Sequence, residues 1–247
     1  LFGGSLAPAA TGTTFQYDGS SWTARPSMST ARGLSGEGSA GTAASALVFA
    51  GEPQTAATEE YDGSTWSNGG NMNTARYTLG GAGTQTAGLG AGGYITSSGV
   101  QTACEEYNGS SWTNVNGLPS AANGLSGVGP QTAALMGGGS FNEYDGTNWT
   151  SGGTPANPAG YKSVAGVQTN AVTVGGNPPS NAPTTEKYNG TSFSTSSATL
   201  NTGRYAMGSW GTAAGFGVAG GTEPSKSNKT EEFTGSGTLQ IEDIDVT

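Results

Sequence analysis

Hydrophobic positions along this chain do not recur at helical spacing at any point. They come as short apolar runs that close in glycine, each followed by a stretch ending in an aromatic residue, a turn and a second aromatic residue. "LVFAG" (47–51) followed by "EEYDGSTW" (59–66) is one example. Asp-Gly between β-prone segments is a strong local signal for a hairpin, because a type I′ turn needs positive φ at both central positions. The pattern therefore predicts a strand ending at Tyr61, a turn at Asp62 and Gly63, and a strand carrying Trp66.

The hairpin recurs. It begins at Tyr17 (with Trp22), Tyr61 (Trp66), Tyr107 (Trp112), Tyr144 (Trp149), Tyr188 (Phe193) and, in degenerate form, Phe233. Upstream of these lie apolar, glycine-closed runs: "LFGG" (1–4), "LVFAG", "AGLGAGG" (87–93), "AALMGGG" (133–139), "AVTVGG" (171–176) and "GFGVAGG" (215–221). The last five are themselves preceded by small-residue stretches such as "GLSGEG", "YTLGGAG" and "KSVAGV". A unit thus reads as four short strands. Units of this length repeated along a chain are the signature of β-propeller blades. The expected fold is all-β: one domain over 1–247, a six-bladed propeller of four-stranded antiparallel blades. The approximate blades are 1–28, 29–70, 71–117, 118–153, 154–197 and 198–247. Blades converge on an axis, so the small-residue strand belongs innermost and the aromatics fill the wedges between blades. The first copy lacks its small-residue strand, so blade one is incomplete or closed by another segment. The tail "TLQIEDIDVT" (238–247) alternates like an outer strand for the last blade.

Composition adjusts this picture in a few places. Gly 45 and Pro 11 approach the range of low-complexity chains, but five Trp, nine Tyr and seven Phe at a fixed period argue for packed structure. Eight basic against seventeen acidic residues, net −9, disfavour a nucleic-acid partner, which would require clustered cations. No apolar run is long enough to cross a bilayer as a helix, so membrane insertion is not expected. The chain starts at Leu1, which reads as a processed or truncated start. Cys104 is the single cysteine, so no intrachain disulfide forms, and as a lone residue beside a strand it reads as a small apolar filler.

The glycine pair after the second strand, then Tyr-Asp and Trp, as in "LFGG…FQYDGSSW", resembles the Kelch family of propellers, with a shorter Tyr-to-Trp turn. A weaker likeness is to the Asp-box hairpin of sialidases. "MNTARYTLGGAGTQTAGLGAGGY" (72–94) and "YNGSSWTNVNGLPSAANGLSGVGPQTAALMGGG" (107–139) resemble repeats in structural and tail proteins of marine bacteriophages, cyanophages especially. That resemblance implies a virion or extracellular surface location and a role in adhesion or assembly rather than chemistry.

In an up-down-up-down blade the first-to-second and third-to-fourth turns share one side, and here both are short and uniform ("TQT", "PQT", "VQT"; "DGS", "NGT"). The other connections vary, so the opposite side is the expected recognition face. Arg32, Arg76 and Arg204 precede the innermost strands on that side, with Tyr77 and Tyr205 following, and Asn123 is read as the replacement for Arg in another copy. These, with Tyr94 and Phe141 in variable connections, are the candidate ligand contacts. The structural reading of the arginines is that they tie loops together by donating to carbonyl oxygens. Glu59/Glu60, Glu105/Glu106 and Glu231/Glu232 alternate across a strand, so neither member of a pair converges with the other on a substrate; they read as solvated edge charges. With no His and one Cys, a nucleophile–imidazole pair or a His-ligated metal is ruled out, and no catalytic residue, metal or cofactor is expected. Three functions follow in order: a module recognising a host-surface glycan or receptor, a structural module docking onto other virion proteins, and, behind both, a carboxylate-only glycosidase.

Overall fold

The computed structural model describes residues 5–6, 9–33, 38–177, 181–223, 225–233 and 239–243. They form strands, turns and loops with no helix. β1 (Ser5–Leu6) and β2 (Ala9–Ala10) pair with each other, and β3 (Thr14–Tyr17) pairs with β4 (Trp22–Arg25). Five four-stranded antiparallel blades follow. Blade 2 is β5 (Ser39–Thr42), β6 (Ser45–Phe49), β7 (Thr58–Tyr61) and β8 (Trp66–Asn68). Blade 3 begins with β9 (Gly80–Thr84) and β10 (Ala87–Ala91). A small side hairpin, β11 (Tyr94–Ile95) and β12 (Gly99–Val100), intervenes before β13 (Cys104–Tyr107) and β14 (Trp112–Val115) complete that blade. Blade 4 is β15 (Ser126–Val128), β16 (Ala134–Gly137), β17 (Phe141–Tyr144) and β18 (Trp149–Gly153). Blade 5 is β19 (Ser163–Val167), β20 (Asn170–Val174), β21 (Thr184–Tyr188) and β22 (Phe193–Thr199). Blade 6 is β23 (Gly208–Thr212), β24 (Gly215–Ala219), β25 (Lys229–Phe233) and β26 (Leu239–Asp243).

The molecule is therefore a β-propeller, and the expected count of six four-stranded blades is corrected to five. Among the described residues the first repeat contributes the short pair β1–β2 and the hairpin β3–β4. The proposed strand at "LFGG" (1–4) lies outside the described residues, as do 34–37 of "GLSGEG" and 244–247 of the tail.

The small-residue strands stand innermost and side by side in the order β5, β9, β15, β19, β23. Their composition follows from how close they come. A Cβ on Gly81 would lie 2.5 Å from the main-chain N and O of Ser39 in the neighbouring blade, and one on Gly127 would lie 2.6 Å from Gly81 O. The hydrophobic clusters straddle blades. Leu47 and Phe49 of blade 2 pack with Leu79, Tyr107 and Trp112 of blade 3, and Leu135 and Phe141 of blade 4 pack with Val164 and Tyr188 of blade 5. No blade has a core of its own, so each must reproduce the same two faces.

Directional bonds fix the angle between blades. The Tyr107, Tyr144 and Tyr188 hydroxyls donate to Glu60, Glu106 and Glu143 of the preceding blade, at 2.6, 2.9 and 3.0 Å. Trp112 Nε1 donates to Thr58 Oγ1 at 2.9 Å. Gln85, Gln131 and Gln168, in the first-to-second turns, donate across to carbonyl oxygens of Tyr61, Tyr107 and Tyr144.

The aromatic hairpin differs from the type I′ expectation. Tyr61 pairs with Trp66, leaving a four-residue loop in which Gly63 (φ 93°) takes positive φ and Asp62 does not. Asp62 instead accepts from the Ser64 and Thr65 amides at 2.8 and 2.7 Å, an Asx turn repeated at Asp18 and Asp145.

Candidate functional site

The variable connections share one side of the ring. Backbone bridges Gly33–Glu52, Tyr77–Tyr94, Gly160–Asn177 and Tyr205–Thr222 each join the loop entering a blade to that blade's second-to-third connection. Near the axis a relay of main-chain bonds runs from blade to blade: Gly124 N–H to Thr78 O, Tyr161 N–H to Gly124 O, and Ala206 N–H to Tyr161 O, at 2.8 to 3.0 Å. Thr78, Gly124, Tyr161 and Ala206 all have φ of 55–61°, the left-handed region that three of them occupy despite carrying a Cβ.

This relay sets the register between copies and relocates the arginines. Arg32, Arg76 and Arg204 are fully buried and do not reach a ligand surface. Each forms an ion pair inside its own blade: Arg32 with Glu59 at 2.5 Å, Arg76 with Glu105 at 2.6 Å and Arg204 with Glu231 at 2.8 Å. Arg32 also donates to the carbonyl oxygens of Ala50 and Ala57, so the carbonyl role expected for these residues holds there alongside the carboxylate. Because Gly124 matches Thr78, the residue equivalent to Arg76 in blade 4 is Ala122, not Asn123. In blade 5 the cation is Lys162, displaced along the chain yet reaching Glu186 at 3.2 Å and Gly175 O. The first glutamates of the Glu pairs are thus not solvated edge charges; Glu59, Glu105 and Glu231 are 1% exposed. They also hold the loops: Glu59 accepts from Ser29 and Thr30 amides, Glu105 from Asn73, Glu186 from Ala156 and Glu231 from Asn201. Burial opposes ionisation of Glu59, but these bonds and Arg32 outweigh it and hold its carboxyl below the usual value. Burial pulls Lys162 and Arg32 down from theirs.

Phe141 is buried against Phe193, ring centroids 5.2 Å apart, and is a core residue rather than a contact residue. The tyrosines remain accessible. Tyr77 and Tyr94 are half-buried with ring centroids 5.4 Å apart, and Tyr205 lies 6.1 Å from Tyr161, whose ring covers Gly124. Tyr161 escaped sequence reasoning, although it adjoins the displaced cation in "GYKS". The aromatic repeat residues Tyr17, Trp22, Tyr61, Trp66, Tyr107, Trp112, Tyr144, Trp149, Tyr188, Phe193 and Phe233 pair as rings within each hairpin or bond between blades, Phe233 stacking on Phe216.

A second concavity was not foreseen. A cavity of about 880 Å³ opens among the innermost strands and the first hairpin. Phe15, Tyr17, Trp22 and Trp210 line it together with Gln16, Thr42 and Lys226. Trp210 occupies a position that is Ala40, Ala82, Val128 or Ala165 in the other blades, and its cross-strand partner Gly217 occupies one that is Leu47, Leu89, Leu135 or Val172. The large and small residues have exchanged strands, so Trp210 covers Gly217 and presents its ring to Tyr17 (5.5 Å) and Trp22 (6.0 Å). That exchange was readable from the aligned copies. Among the described residues no group of three or more metal-ligating side chains comes together. Cys104 is buried, and burial pushes its thiol up to about 11.

No protein-family model and no curated protein matches this chain.

Proposed function

We propose that the protein is a non-enzymatic recognition module of a virion or surface appendage that binds a neutral host-surface glycan through its variable-loop face. The observation that carries this reading is the pair of half-exposed tyrosine clusters, Tyr77/Tyr94 and Tyr161/Tyr205, on the side where the connections vary. Aromatic rings with polar tips offer contact area at low entropic cost, and sugar rings stack on them. Neutrality follows from charge: four of the eight cations, Arg32, Arg76, Lys162 and Arg204, are consumed by buried carboxylates, leaving an acidic surface that repels sialylated or sulfated chains. Seven of the carboxylates already have structural partners, which weighs against their serving as an acid–base pair: Glu59, Glu105, Glu186 and Glu231 hold cations, and Glu60, Glu106 and Glu143 hold tyrosines. The resemblance of the repeats to those of phage structural and tail proteins supports this reading, with carbohydrate or a receptor as ligand and a virion or cell surface as its setting.

A glycan array with the purified chain tests this. The expected result is binding to neutral oligosaccharides, weakened about fivefold or more by Tyr77→Ala or Tyr94→Ala, each lost stacking contact being worth roughly 1 kcal/mol or more. A blank array together with co-purification of another particle protein would favour the docking module instead.

A further inference from the structure

On the variable side the backbone frame is constant from blade to blade while the side chains it carries change. Arg32, Arg76 and Arg204 point into their blades, and alternation turns the next residue outward: Gly33, Tyr77 and Tyr205, all half-buried. Each of these is bridged to one residue of the second-to-third connection, so that Gly33 stands opposite Glu52, Tyr77 opposite Tyr94 and Tyr205 opposite Thr222. In blade 5 the bridged pair is Gly160 and Asn177. The same frame thus carries no ring in blade 2, two in blade 3 and one in blade 6.

Blades 4 and 5 are furnished differently. Their outward positions hold Asn123 and Gly160, and the ring comes from the following residue of blade 5, Tyr161, which lies over Gly124 of blade 4. A Cβ on Gly124 would stand 2.9 Å from that ring, so the glycine is what allows the ring to lie there. Tyr161 itself holds φ of 55°, a left-handed conformation that strains a residue with a bulky side chain, at a relay position that blade 4 fills with glycine. Strain kept at one point of a scaffold points to a task for the side chain held there. The relay bonds from Thr78 to Gly124, Tyr161 and Ala206 set the rings in sequence: Tyr94 and Tyr77, then Tyr161, then Tyr205, all half-buried.

We infer that these four tyrosines form one continuous track across blades 3 to 6, and that its ligand is a linear oligosaccharide of three or more sugar units bound along its length rather than by one end. The inference rests on the glycan reading above and adds to it the length of the ligand and the mode of binding. Each station, Tyr77/Tyr94, Tyr161 and Tyr205, takes a different unit of the chain against its ring. Asn123 and Asn177, half-buried at the outward positions of blades 4 and 5, supply amides that can both donate to and accept from sugar hydroxyls. Weak contacts joined by a covalent chain reinforce one another, because each later contact forms at a high effective concentration. Affinity should therefore climb steeply with chain length until every station is filled, and level off beyond it.

The test is calorimetric titration of the intact protein with linear neutral oligomers of glucose, mannose, galactose and N-acetylglucosamine, each series running from the monosaccharide to the hexasaccharide. Expected is at least one series in which the hexasaccharide binds about a hundredfold or more tighter than the disaccharide. Tyr161→Gly, which places the blade 4 residue in blade 5, should still fold. It and Tyr205→Ala should each weaken the hexasaccharide about fivefold or more and shorten the chain length at which affinity levels off. A hexasaccharide no tighter than its disaccharide, or a length profile that both variants leave untouched, would overturn the track and leave the glycan reading standing. Absence of binding by every series at millimolar concentration would overturn both.

Discussion

At the scale of single residues, the buried ion pair is kept or lost as a unit. Arg32, Arg76 and Arg204 face Glu59, Glu105 and Glu231, and Lys162 faces Glu186. Blade 4 has Ala122 and Asn142 at the two positions, and the first hairpin has Phe15 in place of the glutamate. A lone buried charge is worse than none, which explains the joint loss. Arg76→Ala should therefore destabilise by about 3–5 kcal/mol, and adding Glu105→Asn, the blade 4 solution, should recover most of that in urea denaturation. Acid should act on the same pins. The Glu59 carboxyl lies below its usual 4.5 in the folded state, so its contribution is present above that value and is lost as the pH falls through the folded value. Glu59→Gln should lower stability at pH 7 and flatten its decline below pH 4.5, followed by circular dichroism. In alkali the sign reverses. Burial and Glu60 push the Tyr107 hydroxyl up to about 12, so its contribution is complete below its ordinary value of 10 and disappears as the pH passes about 12. Tyr107→Phe should blunt the alkaline transition.

At the scale of elements, hairpins and innermost strands were legible because each rests on local composition: alternation, glycine-closed runs, and residues small enough for backbones to touch. The turn type was not, since Asp-Gly is compatible both with two positive φ values and with an Asx turn that needs one. The Ser or Thr amides two and three residues beyond the Asp decided it. Gly63 keeps its requirement for positive φ, and a Cβ there would meet Ala44 O at 3.1 Å. Gly63→Ala should cost about 1–2 kcal/mol in thermal or chemical unfolding, while Asp62→Gly, on an exposed loop, should cost less. The carboxylate partners of the arginines were not legible for a related reason, although the loop-tying role through carbonyl oxygens was. A repeated Arg next to a Tyr resembles a recognition pattern in one dimension, and only the third strand, brought back across the blade, supplies the carboxylate that hides it.

At the scale of the molecule, the propeller was readable from the repeat, whereas the number of complete blades was not. The aromatic hairpin counts ring positions, and six are present; a complete blade needs the two inner strands as well, and the described residues supply those for five. Trp22→Phe tests how far the first hairpin ties the ring together. It removes the bond to Thr230, a buried hydroxyl, and should cost about 1–3 kcal/mol, comparable to Trp112→Phe at an ordinary joint. A much smaller loss would mean that the ends of the ring hold without the hairpin.

The carboxylate pins of blades 2, 3, 5 and 6 lie beneath the variable connections, and the main-chain relay joins the loops entering blades 3 to 6, so blades 3, 5 and 6 carry both clamps at the base of the loop. Tips can accordingly be exchanged like cassettes, with insertions and new side chains tolerated wherever both clamps are left in place. A lineage carrying this scaffold could change its loop tips quickly without renegotiating its stability, and a laboratory library grafted at the same seams should fold at high frequency.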